Sequence, residues 1–164
     1  MYFLQSDLLE GMSRDFVKGF MAISEKVSLE PGEFLFQEGD PAAYFWILLK
    51  GRVKLSIGET SHTVYSIGHP GEAFGWSSLV DRPVYSASAE CRLQTKVLRI
   101  EVRKLHDILM KDPVQGAHFF KKLAAVLGKR LLWSYQIVDT LQPMMEGSSS
   151  FGSRTALGTE ISIP

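Results

Sequence analysis

With 164 residues, 45% of them hydrophobic and 22% charged, the chain has the make-up of one globular domain able to bury its own core. Lys and Arg together number 18, as do Asp and Glu, so the formal net charge is zero. That balance excludes the indiscriminate electrostatic binding to nucleic acid or anionic membrane that an excess of cations produces.

The N-terminal stretch MYFLQSDLLEGM has no cationic region ahead of its short apolar run, so it does not read as a secretory leader. Apolar residues then recur at helical spacing, and Ser13 predicts a helix starting at Arg14 with Phe16, Phe20 and Ile23 facing inward. From residue 25 to residue 101 the pattern changes to short runs rich in Val, Ile, Phe and Tyr, punctuated by glycines. The predicted strands are Lys26–Leu29, Glu33–Gln37, Tyr44–Lys50, Arg52–Ile57, His62–Ile67, Ala73–Phe74, Tyr85–Glu90 and Gln94–Ile100. Such closely spaced strands with Gly-centred turns read as a sandwich, barrel or roll. The longest apolar run, Ala42–Leu49, has strand length and is far too short to span a bilayer.

Helical spacing returns over Val102–Lys111. Asp112-Pro113 stops that helix and starts another, with Asp112 as cap and Pro113 at the first helical position. The second helix is expected to run to about Leu141, just before Pro143. The remaining Gly/Ser/Thr-rich residues read as a flexible tail, so residues 1–142 are expected to form the domain and residues 143–164 the tail.

Three segments in fixed order carry a family signal: PGEFLFQEGDPA from Pro31, WILLKGRVKL from Trp46 and PGEAFGW from Pro70. With them the chain resembles the cyclic-nucleotide-binding domain family, which includes catabolite-activator-type regulators, kinase regulatory subunits and nucleotide-gated channels. The resemblance implies a mainly β fold with flanking helices (α+β). It is an eight-stranded antiparallel β-roll, or jelly roll, with an N-terminal helix and a long C-terminal dimerisation helix. It implies a regulatory binding module and no enzyme.

In that family a Phe-Gly-Glu opens a short helix whose amides face the cyclic phosphate, a general type of anion site. The Glu accepts from the ribose, and an Arg some nine residues later neutralises the phosphate. Here the segment reads FGWSSLVDRPVYSASA from Phe74, so Trp76 stands at the Glu position and Tyr85 at the Arg position. Trp is a donor only and Tyr is uncharged at neutral pH. Losing two hydrogen bonds to charged groups, each worth roughly 1.5–3 kcal/mol, weakens binding by about two to four decades. Binding of cAMP or cGMP is therefore expected to be weak, altered or absent. Gly75, Trp76, Ser77, Ser78, Tyr85 and Ser86 are the candidate ligand residues. One reading makes Trp76 and Tyr85 plugs that extend the core. The other makes them the lining of an aromatic pocket for a less charged small effector, beside Tyr65 and Phe74. A third leaves nucleotide binding to backbone amides and serines.

Two apolar stripes run along the long helix. Phe120, Ala124, Leu127, Leu131, Ser134, Val138 and Leu141 alternate spacings of four and three, a coiled-coil seam. Phe119, Leu123, Val126, Trp133 and Ile137 form the other. A helix packed only on its own roll needs one stripe, so the seam is expected to bind a second copy as a homodimer. By the resemblance, Ser134 and Tyr135 fall where the catabolite-activator type reaches the base across the dimer; Ser134 otherwise is a small residue that lets helices approach.

After this helix too few residues remain for a helix-turn-helix domain, so no nucleic-acid contact is expected and output would pass through an unknown protein partner. The lone Cys91 excludes an intramolecular disulfide and an iron–sulfur centre, and fits a reducing, cytoplasmic setting without membrane attachment. His62, His69, His106 and His118 are scattered, and no Walker loop, zinc-spaced cluster or nucleophile elbow is present, so no metal or catalytic residues are expected.

Overall fold

The computed structural model describes residues 6–149, with side chains to residue 143. Helix α1 (Arg14–Ile23) precedes β1 (Ser24–Leu29), β2 (Phe34–Phe36), β3 (Tyr44–Lys50), β4 (Val53–Ile57), β5 (His62–Ile67) and β6 (Ala73–Phe74). A single 3-10 turn (Trp76–Leu79), β7 (Ser88–Cys91), β8 (Thr95–Glu101), α2 (Val102–Lys111) and α3 (Pro113–Ser149) complete the order. The strands form two antiparallel four-stranded sheets, β1-β8-β3-β6 and β2-β7-β4-β5, and this is the expected eight-stranded roll. The described residues up to Leu123 form one compact unit, and those from Ala124 a second.

The expected start of α1 is met: Ser13 Oγ accepts the Phe16 amide at 3.1 Å, satisfying a donor the helix cannot. Phe16 and Phe20 are buried and pack on Phe119. The run Ala42–Leu49 is apolar throughout because β3 is covered on both faces. Phe45 meets Phe119 at 6.3 Å, whereas Trp46 and Leu48 enter the cluster between the sheets. That inner cluster also holds Phe36, Val53, Ile67, Phe74, Tyr85, Ala89, Cys91 and Val97. Cys91 is fully buried there, and burial pushes its thiol pKa up.

Most boundaries fall within two residues of expectation, and two differ by more. The strand predicted over Tyr85–Glu90 begins only at Ser88. Residues 83–85 instead pair with the β2–β3 turn, the Ala42 amide donating to the Pro83 carbonyl at 3.0 Å and the Tyr85 amide to the Asp40 carbonyl at 2.9 Å. Pro83 lacks the N–H that a regular ladder requires, so a short irregular pairing replaces it. Helix α3 passes through Pro143 and ends at Ser149, beyond the expected stop near Leu141. Proline removes one helical donor, but Gln142, Met144, Met145 and Glu146 around it are all good helix formers. Residues 150–164 of the expected tail lie outside the described residues.

Candidate functional site

The segment from β6 to β7 is built around Gly75. Its φ of 76° and ψ of 30° lie in the left-handed region, where L side chains are strained. A Cβ there would sit 2.7 Å from Trp46 Cδ1. Gly75→Ala is therefore expected to destabilise the fold by about 1–3 kcal/mol, read as a lowered midpoint in urea unfolding; an unchanged midpoint would show that the turn relaxes freely.

Trp76 opens the 3-10 turn and is half-buried. Ser77 and Ser78 follow it and are buried. Their hydroxyls are engaged within the segment: Ser78 Oγ donates to the Gly75 carbonyl at 2.7 Å, and Ser77 Oγ lies 3.3 Å from Ser86 Oγ. The Ser78 amide also donates to Gly75, at 3.3 Å. The structure thus brings Gly75, Ser77, Ser78 and Ser86 together, and most of their polar groups already have partners.

Tyr85 turns inward. It is 3% exposed and stacks on Phe36 with ring centroids 3.7 Å apart and planes 14° from parallel. Its hydroxyl donates to the Tyr44 carbonyl at 2.6 Å. The same oxygen accepts the Tyr44 amide at 3.1 Å and the Trp46 Nε1–H at 3.3 Å. A phenol has one proton to give and two lone pairs, so all three capacities are used, and each partner is on β3. Burial raises the Tyr85 pKa, a rise partly offset by the hydrogen bonds from Trp46 and the Tyr44 backbone.

The other aromatics named from the sequence have packing and turn roles. Phe74 is buried and lies over Trp46 with planes 14° from parallel. Tyr65 is half-buried, its hydroxyl donating to Glu72 Oε1 at 3.3 Å. Glu72 also accepts the Gly68 and His69 amides at 2.8 and 2.7 Å, closing the β5–β6 turn. Sequence reasoning missed Phe36, Tyr44 and Trp46 as the surroundings of Tyr85. Their apolar rings mark Phe36 and Trp46 for the interior, but not for one another.

On the long helix, Phe119 and Leu123 of the second stripe are buried in the first unit. In the seam, Phe120, Ala124, Leu131, Val138 and Leu141 are exposed, and Leu127 and Ser134 are half-buried. Ser134 Oγ donates to the Leu131 carbonyl at 2.7 Å, within its own helix, and Tyr135 is 58% exposed. Among the described residues, no group of His, Cys, Asp and Glu is placed to hold a metal, and no helix is long and apolar enough to cross a membrane.

A roll of this topology, with a glycine-led turn after β6, is the architecture of the cyclic-nucleotide-binding domains. The family model for the cyclic nucleotide-binding domain matches residues 26–112, and the chain belongs to that family. A curated relative, the cyclic AMP receptor protein of Thermus thermophilus, is 29% identical over 129 residues. That alignment covers 77% of this chain but only 57% of the receptor, so the chain spans little over half of that relative. Among solved structures, a protein from Geobacter metallireducens described as cyclic nucleotide-binding is similar at a TM-score of 0.68 and 28% identity. It is covered over 91% of its length, and this chain over 76%. The Thermus thermophilus catabolite activator protein gives a TM-score of 0.67 at 25% identity, covering 84% of this chain and 63% of that one.

Proposed function

We propose that the chain is a regulatory module whose nucleotide pocket has been filled by its own aromatic core, leaving binding of cAMP or cGMP weak, altered or absent. One observation carries this reading. The side chain at the family's phosphate-arginine position, Tyr85, is buried, stacked and hydrogen-bonded to capacity. Freeing it to meet a ligand would cost three hydrogen bonds and a buried ring. Trp76, at the glutamate position, has no acceptor for a ribose hydroxyl. Serines remain for an uncharged effector, but the Ser77 and Ser86 hydroxyls already meet each other and the Ser78 hydroxyl donates to the Gly75 carbonyl.

In this reading the module is cytoplasmic, does no catalysis, does not touch nucleic acid, and pairs through α3 with a second copy before signalling to a protein partner. The exposed apolar residues Leu131, Val138 and Leu141 support the pairing, since a contiguous apolar stripe of this kind marks an interaction surface. The same two observations also favour a second reading, a dimeric scaffold with no small ligand at all.

Thermal denaturation with cAMP, cGMP, cyclic dinucleotides and small aromatic acids tests the proposal. A ligand at one hundred times its dissociation constant stabilises the fold by about 2.7 kcal/mol. No shift is expected with 100 μM cAMP or cGMP (about one hundred times a micromolar constant). A full shift at that concentration would mean that the clamp has been rebuilt from other groups, and would overturn the reading. A shift with an uncharged aromatic compound alone would select the altered pocket over the scaffold.

A further inference from the structure

The outer face of the sheet β2-β7-β4-β5 carries a cluster of charges. Strand register places Arg52 opposite Arg92, one step beyond the pair Val53 and Cys91, and the Arg92 amide donates to the Arg52 carbonyl at 2.8 Å. In the next outward row, Phe34 pairs with Glu90, Glu90 with Lys54, and Lys54 with Ser66. Arg52, Lys54, Thr63, Ser66, Arg92 and Leu93 line a shared concavity of about 480 Å³.

Like charges set directly opposite across strands destabilise a sheet. One carboxylate relieves part of that repulsion: Glu90 sits 2.8 Å from Lys54 Nζ and 3.4 Å from Arg92. Its pKa is lowered, chiefly by the hydrogen bond from Lys54. Arg52 is exposed and has no carboxylate partner among the described residues. The concavity is therefore lined by three cations and two hydroxyls, with the carboxylate of Glu90 paired to Lys54 and Arg92.

We propose that this face docks an extended acidic segment of a partner protein. Three features favour that occupant over a single small anion. Arg52 and Lys54 are alternate residues of one chain direction, so their spacing of about 6.7 Å equals the same-face repeat of an extended peptide. The concavity lies beside β5, the last strand of its sheet, and an edge strand offers backbone groups to an added one. Phe34 and Leu93, 46% and 53% exposed, flank the charged rows with apolar surface, the mixture found at protein interfaces.

The inference names the chemistry of the partner and rests on the proposed function only in requiring one. The face lies across the sheet from the aromatic interior, so filling or opening the pocket does not alter it. Binding of a labelled alternating Glu-Ser peptide to the full chain, followed by fluorescence anisotropy at low salt without nucleotide, provides the test. Saturable binding is expected, with each of Arg52→Gln and Arg92→Gln weakening it by about tenfold or more. Ser66→Asp should weaken it similarly. The matching Gln-Ser peptide should not bind. No saturable binding by the wild type, or equal binding by variants with unchanged melting temperature, overturns the proposal. Complete competition by inorganic phosphate at low millimolar concentration also overturns it, in favour of a point anion site. A nucleotide shift in the thermal assay, by contrast, would count against the filled pocket and leave this face untouched.

Discussion

Tyr85→Ala is expected to lower the unfolding free energy by about 3–5 kcal/mol, the usual range for deleting a buried aromatic. The ring it removes lies 3.7 Å from Phe36, so the substitution opens a void between the sheets. It also strips Trp46 Nε1 and the Tyr44 backbone of their partner. Tyr85→Phe keeps the stack and loses only the oxygen, at about 1–3 kcal/mol. The two variants thus separate packing from hydrogen bonding by urea titration. A Tyr85→Ala protein as stable as wild type would mean that the side chain lies loose, and with it the filled-pocket reading would fall.

The same residue has a signature in alkali. Because burial raises its pKa, the folded state holds the phenolic proton more tightly than the unfolded chain does. Its contribution to stability is complete below the unfolded value, about pH 10, and is lost as pH rises through the folded one. Tyr85→Phe should therefore be less sensitive than wild type to alkaline denaturation above about pH 10.

The second large effect concerns the seam. Sedimentation of the wild type should give a dimer, and Leu131→Glu with Val138→Glu a monomer of unchanged helical content. Both side chains are exposed in the single chain, at 50% and 60%, so charging them does not injure the fold. A two-fold interface carries each substitution twice. At about 1.5–3 kcal/mol for each buried aliphatic, the loss is at least about 6 kcal/mol, roughly four decades in dissociation constant. A wild type that sediments as a monomer at tens of micromolar (well above the constant of a typical stable dimer) would remove the homodimer from the proposal.

Much of the architecture was legible because it rests on local patterns. Ser13 capping α1, the apolar run of β3 and the Asp112-Pro113 junction each express a rule that operates within a few residues. The identities at positions 76 and 85 were also legible, since they depend only on comparison with a motif. What those residues do was not. The orientation of Tyr85 is decided by Tyr44 and Trp46, some forty positions earlier in the chain, and by the ring of Phe36. No periodicity encodes such a meeting. The late start of β7 has the same origin, because residues 83–85 are held by the β2–β3 turn. At Pro143 a strong local breaker was outweighed by good helix formers on both sides.

The aromatic interior also encloses the chain's only thiol. Cys91 is fully buried among Phe36, Trp46 and Tyr85 in the same cluster, and its proton is held by burial. Thiolate, the reactive form, is therefore scarce in the folded protein. Alkylation at this sulfur must wait for the two sheets to part, so its rate keeps time with the opening of the roll. The protein carries a built-in clock for its own unfolding, set among the aromatic rings between its sheets.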